Sequence, residues 1–545
     1  MNIVVKVMDG SVIYNFTRPL DLPVDLGQRI EEAYRVKGID CVKDFNGMFA
    51  FALLEEETGI TYLVRDRYGI KPMYYYNEGV TFAWDSSIDY LLKNWGLRFD
   101  VDLEALAQYF TFQNMFDDRT LFKGIKMVPA GCYLKWDSHN RKATIHRYWD
   151  YKFDSSLKGL GEEDIAGEVK RLLGKAVSRM TTRGFGCFLS GGMDTGSIAS
   201  LARRWGRFPT FTCGFDVSSA TGLELGFDET EHAEFMANLL KTEHYEVILH
   251  AGDMEAILPQ LIETLQDIRM GQCYPDYYTY RLASKFVKVV LSGAGGDELF
   301  GGYPWRYYYG EGAQSLDEYI SGYYKYWQRI VRDEDRPKLF RPEVMEGLKD
   351  FSAFDIFRKT LRGTGVEPEG QGDYINMSMY FEIKTFLHGL FVIGDKIGQA
   401  HGLQVRFPFM DNDLVDYAMK IPPEMKIKQM DKHMNVDEDD VSRLFTAEGG
   451  KGILKKAMMG VIPDRILARH KQGFSAPDGS WFKGESMKYI KNLLFDPEAR
   501  IYEYLQPGYV KARINSHMRG KENNRLFIWS CLSFEWWLRS FISGS

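Results

Sequence analysis

Two glycine-rich turns carry the residues of this 545-residue chain best suited to chemistry. The first, Phe188-Leu189-Ser190-Gly191-Gly192-Met193-Asp194-Thr195, lies between an apolar run and a helical pattern. Glycines there let backbone amides approach phosphate oxygens closely, and a helix start adds the positive end of its dipole, so the segment predicts an anion site. The second, Leu291-Ser292-Gly293-Ala294-Gly295-Gly296-Asp297, repeats that layout. Asp194 and Asp297 would stand at the carboxyl ends of neighbouring strands, the edge where open α/β sheets bind ligands, and together could hold Mg²⁺ against the triphosphate of ATP. Neither turn is of the Walker type, since the Gly-Lys-Ser/Thr ending is missing, and neither has dinucleotide-fingerprint spacing. Simple helix capping by the two aspartates is the plainer alternative. Capping alone requires neither paired glycines nor two such turns.

The elements around these turns predict a parallel sheet. Helical and strand patterns alternate from residue 165: helix 165–180, strand 186–189, helix 195–205, strand 210–214, helix 229–241, strand 245–249, helices 254–265 and 278–286, strand 287–291. Right-handed crossovers would stack these as an open, doubly wound sheet. Before residue 136 the chain reads as mostly β, with strand-like runs at 3–7, 48–54 and 61–64 and helical patterns at 26–36 and 103–112. Beyond about Tyr303 strand signals nearly vanish, which predicts a C-terminal helical subdomain, and the acidic insert at 430–440 reads as a surface loop.

Composition narrows the function classes. Hydrophobic residues make up 45% and aromatic residues 14% of the chain, which marks a folded protein, and a length of 545 residues points to two domains. A net charge of -7 without a long basic run disfavours a nucleic-acid groove. The start, Met1-Asn2-Ile3-Val4-Val5-Lys6, has no signal-peptide pattern and no apolar stretch reaches membrane length, so the expectation is a cytoplasmic protein with no membrane partner. The six cysteines contain no C-x-x-C pair and read as reduced, buried thiols.

The two turns resemble the pyrophosphatase motif of the asparagine synthetase family, a superfamily that includes the β-lactam synthetases. The resemblance extends to Phe211-Thr212-Cys213-Gly214-Phe215 on the adenine side, to Arg406-Phe407-Pro408-Phe409-Met410-Asp411, and to Gly450-Lys451-Gly452 with Arg469-His470-Lys471-Gln472-Gly473-Phe474. It implies an α/β fold: an Ntn-type αββα amidotransferase-like domain over 1–150, then a PP-loop ATP-pyrophosphatase domain over 151–545. It implies ATP and Mg²⁺ as cofactors, and adenylation of a carboxylate with loss of pyrophosphate, followed by attack of an amine nitrogen. By resemblance the ATP site comprises residues 188–195 with Cys213, Gly214, Ser292 and Gly293. Lys451 matches the family's catalytic lysine, and Asp194 and Asp297 its metal ligands. An exposed lysine opening a helix is the alternative for Lys451.

Two departures shape the functional expectation. The family's amidotransferase starts with a nucleophilic cysteine, whereas this chain starts Met1-Asn2 and its matching begins at Asp9-Gly10-Ser11-Val12-Ile13-Tyr14-Asn15, so a shortened, glutaminase-dead remnant is expected. Phe45-Asn46-Gly47-Met48-Phe49-Ala50-Phe51 and Arg65-Asp66-Arg67-Tyr68-Gly69-Ile70-Lys71-Pro72 continue that match. Ala294 stands where relatives carry glutamate or tyrosine and cannot act as a base. Asp276 or Tyr277 falls near the position of a substrate-binding arginine, so with Ala294 they mark the acceptor site, and free aspartate is not the expected acceptor. Tyr274, Tyr277, Tyr278, Tyr280, Tyr307, Tyr308 and Tyr309 would floor a larger pocket or simply form core. The leading expectation is an amide ligase acting on a small-molecule or peptide carboxylate, with nitrogen from ammonia, a separate glutaminase or an amine-donating partner. An intramolecular ligase and a catalytically silent scaffold are the alternatives, and a homodimer is the oligomer kept open.

Overall fold

The computed structural model describes residues 2–15, 25–96, 99–271, 273–307, 313–365, 367–428, 449–469 and 475–542. The acidic insert at 430–440, Tyr308, Tyr309, Gln272 and residues 470–474 lie outside the described residues.

Among the described residues the N-terminal part holds ten strands: β1 (Ile3–Val7), β2 (Val12–Ile13), β3 (Gly47–Met48), β4 (Ala50–Glu55), β5 (Ile60–Arg65), β6 (Tyr74–Glu78), β7 (Thr81–Asp85), β8 (Ile125–Met127), β9 (Cys132–Asp137) and β10 (Lys142–Arg147). One antiparallel sheet runs β1-β4-β5-β9-β10 and a second runs β7-β6-β8. The period-two alternation of β4 builds the layers. Phe51 and Leu53 face the helix Leu26–Lys37, meeting Ile30 and Tyr34. Ala50 and Ala52 face the second sheet, where Phe82 stacks on Trp136 at 4.3 Å. Tyr74, Ile125 and Met127 on that sheet's outer face join helices Ile88–Trp95 and Leu103–Phe112. The result is the helix–sheet–sheet–helix stack expected from the resemblance.

The motif residues of this part dock it onto the rest of the chain. Arg65, fully buried, donates to the carbonyls of Lys71 (2.6 Å) and Val128 (2.7 Å) and meets His388 Nε2 at 3.0 Å. Burial, and then the Arg65 charge, hold His388 well below the usual imidazole range, so it is neutral and accepts that bond. Asp66 accepts the backbone N–H groups of Tyr68, Ile70 and Lys71 at 3.0–3.1 Å. Lys71 pairs with Asp395, Asn46 donates to Asp411 at 3.2 Å and the Tyr68 hydroxyl donates to Asn412 at 2.8 Å. Satisfied polar groups buried at a junction fix its geometry, because leaving one unpaired costs about 1–3 kcal/mol.

The second sheet system is parallel throughout: β11 (Phe185–Phe188), β12 (Pro209–Phe215), β13 (Glu243–Leu249), β14 (Val289–Leu291) and β15 (Gln404–Arg406), in the order β13-β12-β11-β14-β15. The chain winds outward from β11 through β12 to β13, then returns to place β14 on the other flank of β11. The switch point of this doubly wound sheet therefore lies between β11 and β14, paired through Cys187 and Leu291. β15 corrects the expectation of an essentially strand-free C-terminal part: three residues are too few to show a period, yet they extend the sheet beside β14. The helix expected at 278–286 begins earlier, as Tyr274–Ala283, with Pro275 in its first turn.

A buried cation lies beside this sheet system. Lys426 is fully buried, its Nζ has no hydrogen-bond partner among the described residues, and it lies 5.0 Å from the Phe153 ring centroid. Burial lowers its pKa to about 7 from an ordinary 10.5. The folded state thus binds fewer protons than the unfolded state between about pH 7 and 10.5, and stability rises with pH across that window. Lys426→Met is expected to stabilise the protein by roughly 2–4 kcal/mol near pH 7, with the gain shrinking towards pH 10. Urea midpoints of both proteins at the two pH values check this; an unchanged or lowered midpoint at pH 7 would rule it out.

Candidate active site

The two glycine turns meet at the switch point. After β11 the chain turns through Ser190 and Gly191 into the helix Met193–Ala202, whose N-cap Gly192 offers no side-chain cap. Its first amides are therefore left for an anion. The turn braces itself: Thr195 Oγ1 accepts from the Ser190 amide at 3.1 Å and lies 3.2 Å from Ser190 Oγ. After β14 the second turn leads into the short helix Gly296–Phe300, which carries Asp297. Glycine is required where the turns interlock. A Cβ on Gly296 would lie 2.7 Å from Asp194 Oδ1, and one on Gly302 would strike Asp297 Oδ1 and lie 2.6 Å from Lys451 Cε.

Lys451 joins the two carboxylates. Its Nζ lies 2.5 Å from Asp194 Oδ2 and 2.5 Å from Asp297 Oδ1, and all three side chains are nearly buried. Burial pulls the lysine pKa down, but Asp194 and then Asp297 more than offset it, so the ammonium is held above its ordinary range. The exposed-lysine alternative does not survive this placement. Lys451 caps the helix Gly452–Met458 with φ of 61°. A left-handed backbone at a non-glycine residue costs about 1–2 kcal/mol, and such strain gathers where position matters for function. Two carboxylates match the donor set of Mg²⁺, which takes one or two carboxylates and completes its shell with water and phosphate. Among the described residues no group of three or more His, Cys, Asp or Glu could form a fuller metal site.

A cavity of about 1340 Å³ opens over this cluster. Phe188, Leu189, Ser190, Gly192, Met193, Asp194 and Thr195 from the first turn line it, with Cys213, Ser292, Gly293, Ala294, Asp297 and Lys451. Asp276 lines it too, whereas Tyr277 does not and packs edge-on against His401. Gly191 and Gly214 turn away and back onto the helix Thr230–Leu240. Of the tyrosines offered as a floor, Tyr280 reaches the cavity, while Tyr274 stacks on Trp529 and Tyr307 is core beside Glu382. Gln404 lies outside the wall, donating to the Gly10 carbonyl at 2.8 Å and accepting from Arg406 at 2.7 Å.

The motif run at 469–474 held Arg469 without giving it a role, and Arg306, Trp305 and Phe386 were not expected in the wall. Arg469 donates to the Gly191 carbonyl at 3.1 Å and pairs with Glu229 at 3.2 Å, so it tethers the first turn. Arg306, stacked 4.1 Å from the Tyr303 ring, also lines the cavity, with Trp305 and Phe386. Arg306 follows the second turn closely in sequence, which was a usable signal; Phe386 carried none. The six cysteines are free and buried, as expected. No helix of the described residues is long and apolar enough to cross a membrane.

Comparison with known proteins found two family models and a set of relatives. The "Asparagine synthase" family model matches residues 168–539, and the "Glutamine amidotransferase domain" model matches residues 29–149. Asparagine synthetase [glutamine-hydrolyzing] 1 of Bacillus subtilis is 27% identical over 560 residues, covering 96% of this chain and 81% of that protein. A putative asparagine synthetase of Mycobacterium tuberculosis H37Rv is 27% identical over 556 residues, covering 95% and 80%. A putative asparagine synthetase 2 of Methanocaldococcus jannaschii is 31% identical over 318 residues, covering 55% and 59%.

Proposed function

The chain belongs to the asparagine synthase family, and from that premise we propose that it joins ammonia, or an amine from a partner protein, to the carboxylate of an acceptor larger than aspartate. It is an ATP-dependent carbon–nitrogen ligase that releases AMP. The observation that carries the reading is the convergence of Asp194, Asp297 and Lys451 from three chain segments at one switch point.

The chain's own groups account for each stage. Amides of the first helical turn bind the triphosphate, and Asp194 and Asp297 are the residues that would hold Mg²⁺, which neutralises phosphate charge when bound. An acceptor carboxylate oxygen attacks the α-phosphorus, the bond to the β-phosphate oxygen breaks, and pyrophosphate leaves. Nitrogen then attacks the acyl carbon, AMP departs with the oxygen that joined them, and the nitrogen loses a proton. Negative charge builds at both stages, and the fixed ammonium of Lys451 stabilises it without reorganisation. Ala294 offers no base. Holding nitrogen against the adenylate raises its effective concentration to about 10⁵ M or more, which serves in place of strong deprotonation.

The acceptor reading rests on Ala294 and Asp276, which line the cavity of about 1340 Å³ that nucleotide and acceptor would share. A sugar acid or a peptide, including a peptide closing on its own amine, fits this reading better than free aspartate. In the N-terminal unit Cys41 and Cys132 are buried, and burial raises both thiols, Cys41 to about 12, so neither is a nucleophile at neutral pH. A pyrophosphate-release screen of candidate carboxylates with this 545-residue chain is expected to yield product with ammonium and none with glutamine until a separate glutaminase is added. Glutamate release by the pure protein would refute the glutaminase-silent part, and absence of carboxylate-dependent pyrophosphate with every acceptor would refute the ligase.

A further inference from the structure

We propose that Arg469 is a positioning residue for the nucleotide: it fixes the peptide between Gly191 and Gly192 so that the Gly192 amide faces the phosphates. The proposal rests on the nucleotide site above and adds to it the group that sets the shape of the first turn. Arg469 Nη1 donates to the Gly191 carbonyl at 3.1 Å and lies 3.2 Å from Glu229 Oε1, so one nitrogen bridges the turn and a carboxylate. Both side chains are largely withdrawn from solvent. Glu229 stands directly before the helix Thr230–Leu240, and that helix presses on Gly191. A Cβ on Gly191 would lie 2.4 Å from His232 Cβ and 2.8 Å from the Ala233 nitrogen. The turn is thus held by the helix through van der Waals contact and by Arg469 through its carbonyl.

Two adjacent glycines create the problem that Arg469 solves. Gly191 has φ of 67°, and with no Cβ on either residue the peptide plane between them turns over at little steric cost. One orientation offers an anion an N–H group; the other offers it a carbonyl oxygen, which repels phosphate. A trans peptide carries its C=O and the following N–H on opposite sides, so a carbonyl anchored on Arg469 leaves the Gly192 N–H one direction. That direction is towards Ser190 Oγ, 3.4 Å away. Ser190 and Gly192 both line the cavity, whereas Gly191 does not. Arg469 and Glu229 line it too, so a direct countercharge to the triphosphate is the competing role. The ion pair with Glu229 argues against it, because it offsets the charge while keeping the guanidinium on the carbonyl.

Calorimetric titration of the full chain with ATP and Mg²⁺, without acceptor, tests the proposal, read beside thermal unfolding and single-turnover pyrophosphate release at saturating ATP. Arg469→Ala is expected to weaken ATP by about 10- to 100-fold, the effect of losing one hydrogen bond to a charged group. The saturated rate and the unfolding midpoint are expected to change far less. Glu229→Ala separates position from charge. It removes a negative group from the cavity that holds the triphosphate, so a countercharge role for Arg469 would tighten ATP or leave it unchanged. The proposal expects weakening instead, and recovery in Glu229→Gln, which keeps an acceptor for the guanidinium. Wild-type affinity in a folded Arg469→Ala protein, or tightened or unchanged affinity in Glu229→Ala, would overturn it. If Arg469→Ala fails to fold, the two Glu229 variants decide. Failure of the wild type to bind ATP would instead sink the nucleotide site itself.

Discussion

Lys451→Ala is expected to lower single-turnover pyrophosphate release by about 10²–10³-fold, the effect of removing one preorganised donor to a developing oxyanion. The ammonium lies 2.5 Å from both Asp194 and Asp297 and carries its charge throughout the neutral range. Its removal leaves two buried carboxylates facing each other, and breaking a buried ion pair this way costs about 3–5 kcal/mol of stability. Two readouts separate chemistry from folding: nucleotide affinity by titration and thermal unfolding. The account expects affinity to change far less than turnover. A folded Lys451→Ala protein with wild-type turnover would remove the lysine from the chemistry.

Asp194→Ala is expected to abolish ATP–pyrophosphate exchange, measured with an accepted carboxylate, while leaving the fold intact. Asp194 lies in the first turn of the helix Met193–Ala202, where its side chain is not needed as a cap. The helix keeps the hydrogen bond from the Gly196 amide to the Gly192 carbonyl and the sheet pairing beneath it. The loss falls on the metal and on Lys451, which would keep one carboxylate partner in Asp297. Exchange at the wild-type rate in a folded variant would withdraw Asp194 from the metal site.

Much of the site was legible because its parts are local. A strand, a glycine turn and a helix start lie within about ten residues, and their chemistry depends on that order. Lys451 was not legible in this way: it is 257 residues from Asp194, and only the resemblance placed it at the site. β15 escaped because three residues show no period, although Gln404, Val405 and Arg406 complete the sheet. The Arg65–Pro72 run was recognisable as a motif, but its work of docking two parts through buried hydrogen bonds depends on partners such as His388 and Asn412, more than 300 residues away. The tyrosines left floor and core open in sequence; among the described ones Tyr280 reaches the cavity, whereas Tyr274, Tyr277 and Tyr307 are buried as core.

The central claim is that both glycine turns grip one nucleotide. The most direct measurement is a crystal structure of the chain with Mg²⁺ and a non-hydrolysable ATP analogue. The account predicts the triphosphate between the Ser190 and Ser292 turns, with one metal touching Asp194 and Asp297 and the purine over β12. Nucleotide bound at only one turn, with Asp194 and Asp297 still closed on Lys451 and no metal between them, would contradict it.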